Sequence, residues 1–198
     1  MLTAAAAPRV HVLQFSMAKC PMTTTWTAQF AREVMNTSAL RQIVDFEQSY
    51  VGGDIGEGPV NESNWMSCFH GDSECRGHRV MLCAKNVSRA TDPVDYRWFD
   101  MISCMNGPKG IAGVTYGLPT SIPNNAPKCA SQVGLDWAAV SSCANGTQGA
   151  QLLHDSHFRT MALFAAHGGY DPAGHGYRPP LIPNIWIYDA DGQPAEYN

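Results

Sequence analysis

The sequence predicts an α/β domain carrying a cysteine-rich insertion, and three observations carry that prediction. A strand, an amphipathic helix and a second strand succeed one another within the first 51 residues. Four of the seven cysteines then fall in an irregular stretch from Gly52 to Pro127 that is rich in Gly, Pro and Asn, and a strong apolar strand returns near the end. The 198 residues suit one domain of the usual size, about 100–200 residues. The expected layout is a tail over 1–9 and a single domain over 10–198, with 52–134 as the insertion.

Val10-His11-Val12-Leu13-Gln14-Phe15 is rich in branched and aromatic residues and reads as a largely buried strand. Pro21 suits the first position of a helix, which puts Cys20 at the N-cap, and Met22, Trp26, Phe30 and Val34 recur every fourth residue as an apolar face. Gln42 to Val51 reads as a second strand closed by Gly52-Gly53-Asp54. Two such strands in one sheet require a right-handed crossover, which the helix supplies. After the insertion, Leu135 to Cys143 is an Asp-capped helical pattern, Asn145-Gly146 breaks it, and Leu153, His157, Met161 and Phe164 resume it. A Gly, His, Tyr and Pro loop over 165–180 leads to Ile182-Pro183 and the strand Ile185-Trp186-Ile187-Tyr188, ending at Asp189-Ala190-Asp191-Gly192.

Hydrophobic residues make up 44% and charged residues 15%, with a formal net charge of −4, which argues against long disorder and against an electrostatic grip on nucleic acid. No run of about eighteen apolar residues is present, so no membrane span is expected. Four N-x-S/T sequons begin at Asn36, Asn61, Asn86 and Asn145, where ten Asn and 24 Ser or Thr would give about one by chance, pointing to a glycosylated protein of the secretory pathway. Met1 to Ala7 lacks the basic and apolar regions of a signal peptide, so the natural start is expected to be missing.

Seven cysteines leave one without an internal partner if the rest pair. An oxidising compartment would let six form three structural disulfides, among 15 possible connectivities that sequence leaves open. Cys20 has a reactive setting, because the unpaired N–H groups and positive dipole end of a helix start stabilise a thiolate, and Lys19 adds positive charge. An Ile182-Pro183 bond held cis beside that cysteine would expose backbone groups able to pair with an extended substrate. Cys68, His70, Cys75, His78 and Cys83 could be read as a zinc set, but they lack the usual knuckle spacing, so disulfides are expected and no metal. His70 and Glu74 read as local hydrogen-bonding residues. His154 and His157, and His167 and His175 around the Gly-rich loop, read the same way or as solvent-exposed side chains.

Cys68-Phe69-His70-Gly71-Asp72-Ser73-Glu74-Cys75, followed by His78 and Cys83, resembles the signature C-Q-H-G-x-x-E-C-x-x-N-x-x-x-x-C of the gamma-interferon-inducible lysosomal thiol reductases. Cys143-Ala144-Asn145-Gly146, Gly149, Gln151-Leu152, His154 and Arg159-Thr160 are similar to a second segment of that family, and Ile182-Pro183-Asn184-Ile185 to its strand entry. The resemblance runs from Val10 to about Gln193. It implies a thioredoxin-like fold with a disulfide-rich helical insertion, in secreted or lysosomal glycoproteins that reduce protein disulfides with a C-x-x-C pair. The departures are Phe69 for Gln, His78 for Asn, and Thr23 where the second cysteine would stand.

A dithiol enzyme frees itself from a mixed disulfide by internal attack, whereas Cys20 alone must wait for an external thiol. The functional expectation is therefore a monothiol reductase or isomerase with no cofactor beyond a low-molecular-weight thiol. Cys20 attacks disulfide-containing proteins, and the Thr23 hydroxyl is expected to support the thiolate by a hydrogen bond. Pro21, Met22, Ile182 and Pro183 would shape the substrate groove, and Cys68, Cys75, Cys83, Cys104, Cys129 and Cys143 would be structural. The alternative is a non-catalytic secreted glycoprotein that binds extended or cysteine-containing polypeptides. A full thioredoxin-like sheet would need another strand and helix after Tyr188, so a shortened C-terminus is also expected.

Overall fold

The computed structural model describes residues 9–52, 67–107, 121–166, 182–189 and 192. Strand β1 (Val10–Ser16), helix α1 (Pro21–Phe30) and strand β2 (Val44–Tyr50) form the strand–helix–strand unit, with β1 and β2 parallel from Val10↔Val44 to Ser16↔Tyr50. Strand β3 (Asn184–Tyr188) pairs antiparallel with the other edge of β1, giving the order β2-β1-β3. A central strand is covered on both faces, which is why β1 is buried without alternation from Val12 to Ser16. Across the strand pair Gln48 Nε2 donates to Gln14 Oε1 (2.5 Å), and within β2 the Tyr50 hydroxyl donates to Gln48 Oε1 (2.9 Å).

The buried face of α1 lies one residue away from the predicted stripe. Thr23 and Thr27, continued by Ala31 and Met35, are the buried positions, while Trp26, Phe30 and Val34 are half-buried and Met22 is 57% exposed. Small side chains occupy the buried line, and the aromatic rings pack from its flank: Trp26 stacks on Phe30 (4.7 Å between centroids), and Phe30 lies 4.9 Å from Phe46 of β2. Past Phe30 the chain widens into a π-helical turn (Ala31–Met35), then forms the short helix α2 (Ser38–Ile43). The strand predicted from Gln42 therefore begins at Val44, because Gln42 and Ile43 complete α2.

The chain then forms α3 (Asp72–Arg89), α4 (Arg97–Asn106) and α5 (Ala126–Val133), and continues into α6 (Trp137–Asn145) and α7 (Thr147–Ala166). Asp136 caps α6 as predicted, its Oδ1 accepting from the Ala138 and Ala139 N–H groups at 2.9 and 3.2 Å. Three disulfides staple this half of the molecule. Cys68–Cys75 ties the preceding loop to α3, Cys83–Cys143 joins α3 to α6, and Cys104–Cys129 joins α4 to α5.

Two layers cover the sheet. On one face Phe46 stacks on Trp98 and meets Phe99 edge-on, both from α4, in a core cluster that also takes in Met101 and Ile102 and residues of α1 and α3. On the other face Phe15 packs edge-on against Phe164 of α7 (4.7 Å) and Trp186 of β3 (4.9 Å). A hydroxyl cluster fastens α7 to β2: Ser49 Oγ lies 2.7 Å from Thr160 Oγ1, and the Tyr50 N–H donates to Ser156 Oγ at 2.6 Å. The residues after Gly192, where a further strand and helix were expected to be lacking, lie outside the described residues.

Candidate active site

The turn leaving β1 delivers Cys20 to the start of α1. Cys20 has extended backbone angles, and its N–H donates to Met17 O (3.1 Å). Its carbonyl accepts the first helical bond, from Thr24 N (3.0 Å). Pro21 follows at the first helical position, where its missing N–H costs nothing. Among the described residues Cys20 is the free cysteine, the other six being paired, and it is buried, with 7% of its surface exposed.

The Ile182–Pro183 bond is cis, and the Cys20 thiol donates to the Ile182 carbonyl at 3.7 Å. Two segments 162 residues apart are thus brought together at the sulfur. Cys20 Sγ makes no capping bond to the N–H groups of the first turn, because it is turned toward that carbonyl. The expected Thr23–Cys20 hydrogen bond is not formed. Thr23 points inward with Thr27 one turn on, and its buried Oγ1 has no partner among the described residues. Met22 projects outward, and Pro21, Ile182 and Pro183 are half-buried around the sulfur. Lys19 is directed to Ser73 Oγ (2.7 Å), so its ammonium is engaged at the start of α3.

Two side chains of α3 hold the turn from beneath, and reading the sequence did not assign them this role. His78 Nε2 accepts the Ala18 N–H at 2.9 Å, and Glu74 Oε1 accepts the Lys19 N–H at 2.9 Å. Glu74 also takes the His70 N–H on Oε2 (3.0 Å) and His70 Nδ1 on Oε1 (2.7 Å), so the local His70–Glu74 interaction exists but is half of a longer reach. Because His78 Nε2 is the acceptor, its proton sits on Nδ1, which lies 3.6 Å from Cys68 Sγ. Gly71 carries the chain into α3 at φ +78°. Gly77 lets α3 close on the turn, since a Cβ there would lie 2.9 Å from Ile122 Cγ2 and 3.1 Å from Ala18 Cβ. The sequence signal was the spacing: Glu74 and His78 are four apart, one above the other on a helix face.

Burial alone pushes the Glu74 carboxyl up, but the charge of His78 when that imidazole is protonated and the hydrogen bonds from His70 and the Lys19 N–H outweigh it and bring it below the ordinary value. Burial pushes the His78 imidazole down to about 4, opposed by Glu74 and reinforced by His70 and His157. The sulfurs considered as zinc ligands are committed to disulfides. His157 is buried and accepts the Gly52 N–H on Nδ1 (3.2 Å), and His154 contacts Asp155 (3.1 Å). Asn36, Asn86 and Asn145 are exposed, while Asn61, His167 and His175 lie outside the described residues.

A parallel βαβ unit, an antiparallel strand entered through a cis-proline, and a thiol at the helix start facing that proline loop define a thioredoxin-like protein. Solved structures agree on the fold. The chain superposes on MdbA, a thiol-disulfide oxidoreductase from Corynebacterium diphtheriae, with a TM-score of 0.51 at 11% identity, over 98% of this chain and 81% of that one. It superposes on Chlamydia trachomatis DsbA with a TM-score of 0.50 at 10% identity, over 95% and 85%. The model of the gamma interferon inducible lysosomal thiol reductase (GILT) family matches residues 11–133, and the chain belongs to that family.

Among curated relatives, a GILT-like protein of Anopheles gambiae is 31% identical over 99 residues, and GILT-like protein 1 of Drosophila melanogaster is 30% identical over 107. The aligned parts cover 44% and 50% of this chain but only 36% and 39% of those relatives.

Proposed function

We propose that this protein is a thiol-disulfide oxidoreductase in which Cys20 attacks disulfides of protein substrates and an external thiol completes the cycle. The observation that carries this reading is the single unpaired sulfur, at a helix start, against the carbonyl that precedes a cis-proline. Deprotonation would end the hydrogen bond to Ile182 and free Sγ to accept from the N–H groups of the first turn, which favour an anion. The thiolate attacks one sulfur of the substrate disulfide, forming a mixed disulfide and releasing the other substrate sulfur as a thiolate. A low-molecular-weight thiol then attacks the Cys20 sulfur and releases the second substrate thiol. A second equivalent attacks that adduct, regenerates Cys20 and leaves as a disulfide, so two external thiols are oxidised for each substrate disulfide reduced.

Ile182 and Pro183, with Pro21 and the exposed Met22, are the residues best situated to contact an extended substrate strand. The three intact disulfides and the exposed sequon residues Asn36, Asn86 and Asn145 support residence as a glycoprotein in a secretory or lysosomal lumen. No helix among the described residues is long and apolar enough to cross a membrane.

The burial of Cys20 and the presence of Thr23 favour one competing reading, a binder of extended polypeptides without turnover. Glutathione-dependent reduction of a protein disulfide, together with a mixed disulfide trapped on Cys20, separates the two. The enzyme reading expects both, and expects both to vanish in Cys20→Ser. A wild-type chain with intact structural disulfides that shows neither would leave the binder.

A further inference from the structure

We infer that His78 is a positioning residue for Cys20: its neutral imidazole clamps the Met17–Cys20 turn through the Ala18 N–H, keeps the sulfur enclosed against Ile182, and lets the turn go when it is protonated. The inference deepens the thiol-exchange reading and rests on it for its functional meaning, although the clamp is observable apart from turnover.

The geometry is specific. His78 is fully buried, its Nε2 stands 2.9 Å from a backbone N–H sixty residues away, and its Nδ1 is turned to the Cys68–Cys75 disulfide at 3.6 Å. The Tyr50 ring of β2 covers the imidazole, with 4.9 Å between centroids. A buried N–H that loses its acceptor costs more than the bond is worth, so the turn has strong reason to follow the state of the imidazole. Protonation places an N–H on Nε2, facing the Ala18 N–H donor to donor, and the clamp cannot persist in that form.

The charged and titratable groups facing the imidazole come from every element around it. Glu74 lies one turn earlier on α3, His70 in the loop before it, His157 on α7 and Tyr50 on β2, while Lys19 on the turn itself is directed away to Ser73. Only Glu74 favours the charged form, and burial outweighs it, so the acceptor state survives through pH 5–6, where ordinary histidines charge, and fails near 4. The Glu74 carboxylate, also held below its usual range, keeps the adjoining Lys19 N–H through the same interval. The site therefore withstands mild acid and opens only in strong acid.

The test uses the full chain, 15N-labelled, with amide exchange at Ala18 and Lys19 and the rate of Cys20 with 4,4′-dithiodipyridine followed from pH 7 to pH 3. His78→Gln puts an amide oxygen within reach of the same N–H but does not titrate, and His78→Leu removes the acceptor. Wild type is expected to protect Ala18 at pH 6 and to lose at least tenfold of that protection below pH 4. The rate of Cys20 per unit of thiolate should rise as the turn opens. His78→Gln should keep the protection at pH 3.5, and His78→Leu should lack it at pH 6, with a Cys20 rate about tenfold higher.

If His78→Leu does not fold, the comparison of wild type with His78→Gln decides alone. An Ala18 response to acid that is the same in wild type and His78→Gln would overturn the inference, as would wild-type Ala18 that exchanges freely at pH 6. Reduction of a protein disulfide is measured in parallel on wild type at pH 6. Absent turnover with a titrating Ala18 would count against the oxidoreductase reading and leave the clamp in place.

Discussion

On the proposed thiol-exchange reading, Thr23 stands where a dithiol enzyme would carry its second cysteine, and its surroundings suit a one-residue test of that reading. Thr23 is three positions past Cys20, buried, with an unpartnered Oγ1, so a thiol of similar volume would replace a hydroxyl that makes no bond among the described residues. Thr23→Cys is expected to add an internal resolving step. Release of the Cys20 mixed disulfide should become independent of external thiol and at least about tenfold faster at low thiol concentration, because an intramolecular attack has a high effective concentration. Stopped-flow release of a fluorescent thiol measures this; a rate still proportional to glutathione would refute it. Cys20 itself was legible, since helix-start signals and cysteine parity both bear on it. His78 and Glu74 were not: their four-residue spacing puts them on one helix face, but their partners are backbone N–H groups 60 and 55 residues away, which that spacing does not identify.

At the scale of elements, helix α3 joins the turn, the sheet and the other helices, and it was the element hardest to read. Its buried face carries Glu74, Cys75, Gly77, His78 and Ser88 among Val80, Met81, Leu82 and Cys83. A glycine and two ionisable residues in the core stripe break the apolar periodicity on which recognition of a helix depends. Strand β1 and the Asp136 cap of α6 were legible because burial on both faces and a capping carboxylate leave local marks. Helix α2 was missed because its six residues contain no buried position. The disulfides on α3 differ in what they hold. Cys83–Cys143 closes 60 residues and Cys68–Cys75 only 7, so their chain-entropy contributions are about 4 and about 2 kcal/mol. In urea unfolding, the Cys83→Ala/Cys143→Ala pair should therefore cost roughly twice what Cys68→Ala/Cys75→Ala costs. The short bridge should matter more at the site: its loss takes away the sulfur beside His78 Nδ1 and should reduce amide protection at Ala18 while most of the global stability remains.

Over the whole molecule, the buried ionisable groups set a stability that falls on acidification in two stages. His78 on α3 and His157 on α7 are both pushed by burial to about 4, with the charge of His154 adding to the effect at His157. Above pH 6.5 these imidazoles are neutral in both folded and unfolded chains. Below it the unfolded chain binds protons that the folded chain excludes, so stability declines until about pH 4, where the folded imidazoles charge as well. A depression of this size corresponds to about 3 kcal/mol for each histidine as an upper bound. The second stage belongs to Glu47 on β2. Burial pushes its carboxyl up, but Arg159 from α7 and Lys85 from α3 outweigh this and lower it to about 2. Its contribution is present above pH 4.5 and is lost toward pH 2, and because the trio is partly open to solvent it should weigh less than the histidines. Urea midpoints at pH 7, 5.5, 4 and 3 should therefore fall most steeply between 6.5 and 4 at constant m-value. His157→Gln, whose amide oxygen can take the Gly52 N–H without titrating, should shrink that first drop by up to half and leave the second in place. Midpoints flat from pH 7 to pH 4 would mean that these imidazoles charge in the folded chain as readily as in the unfolded one, and the buried neutral clamp at Ala18 would then have no thermodynamic basis.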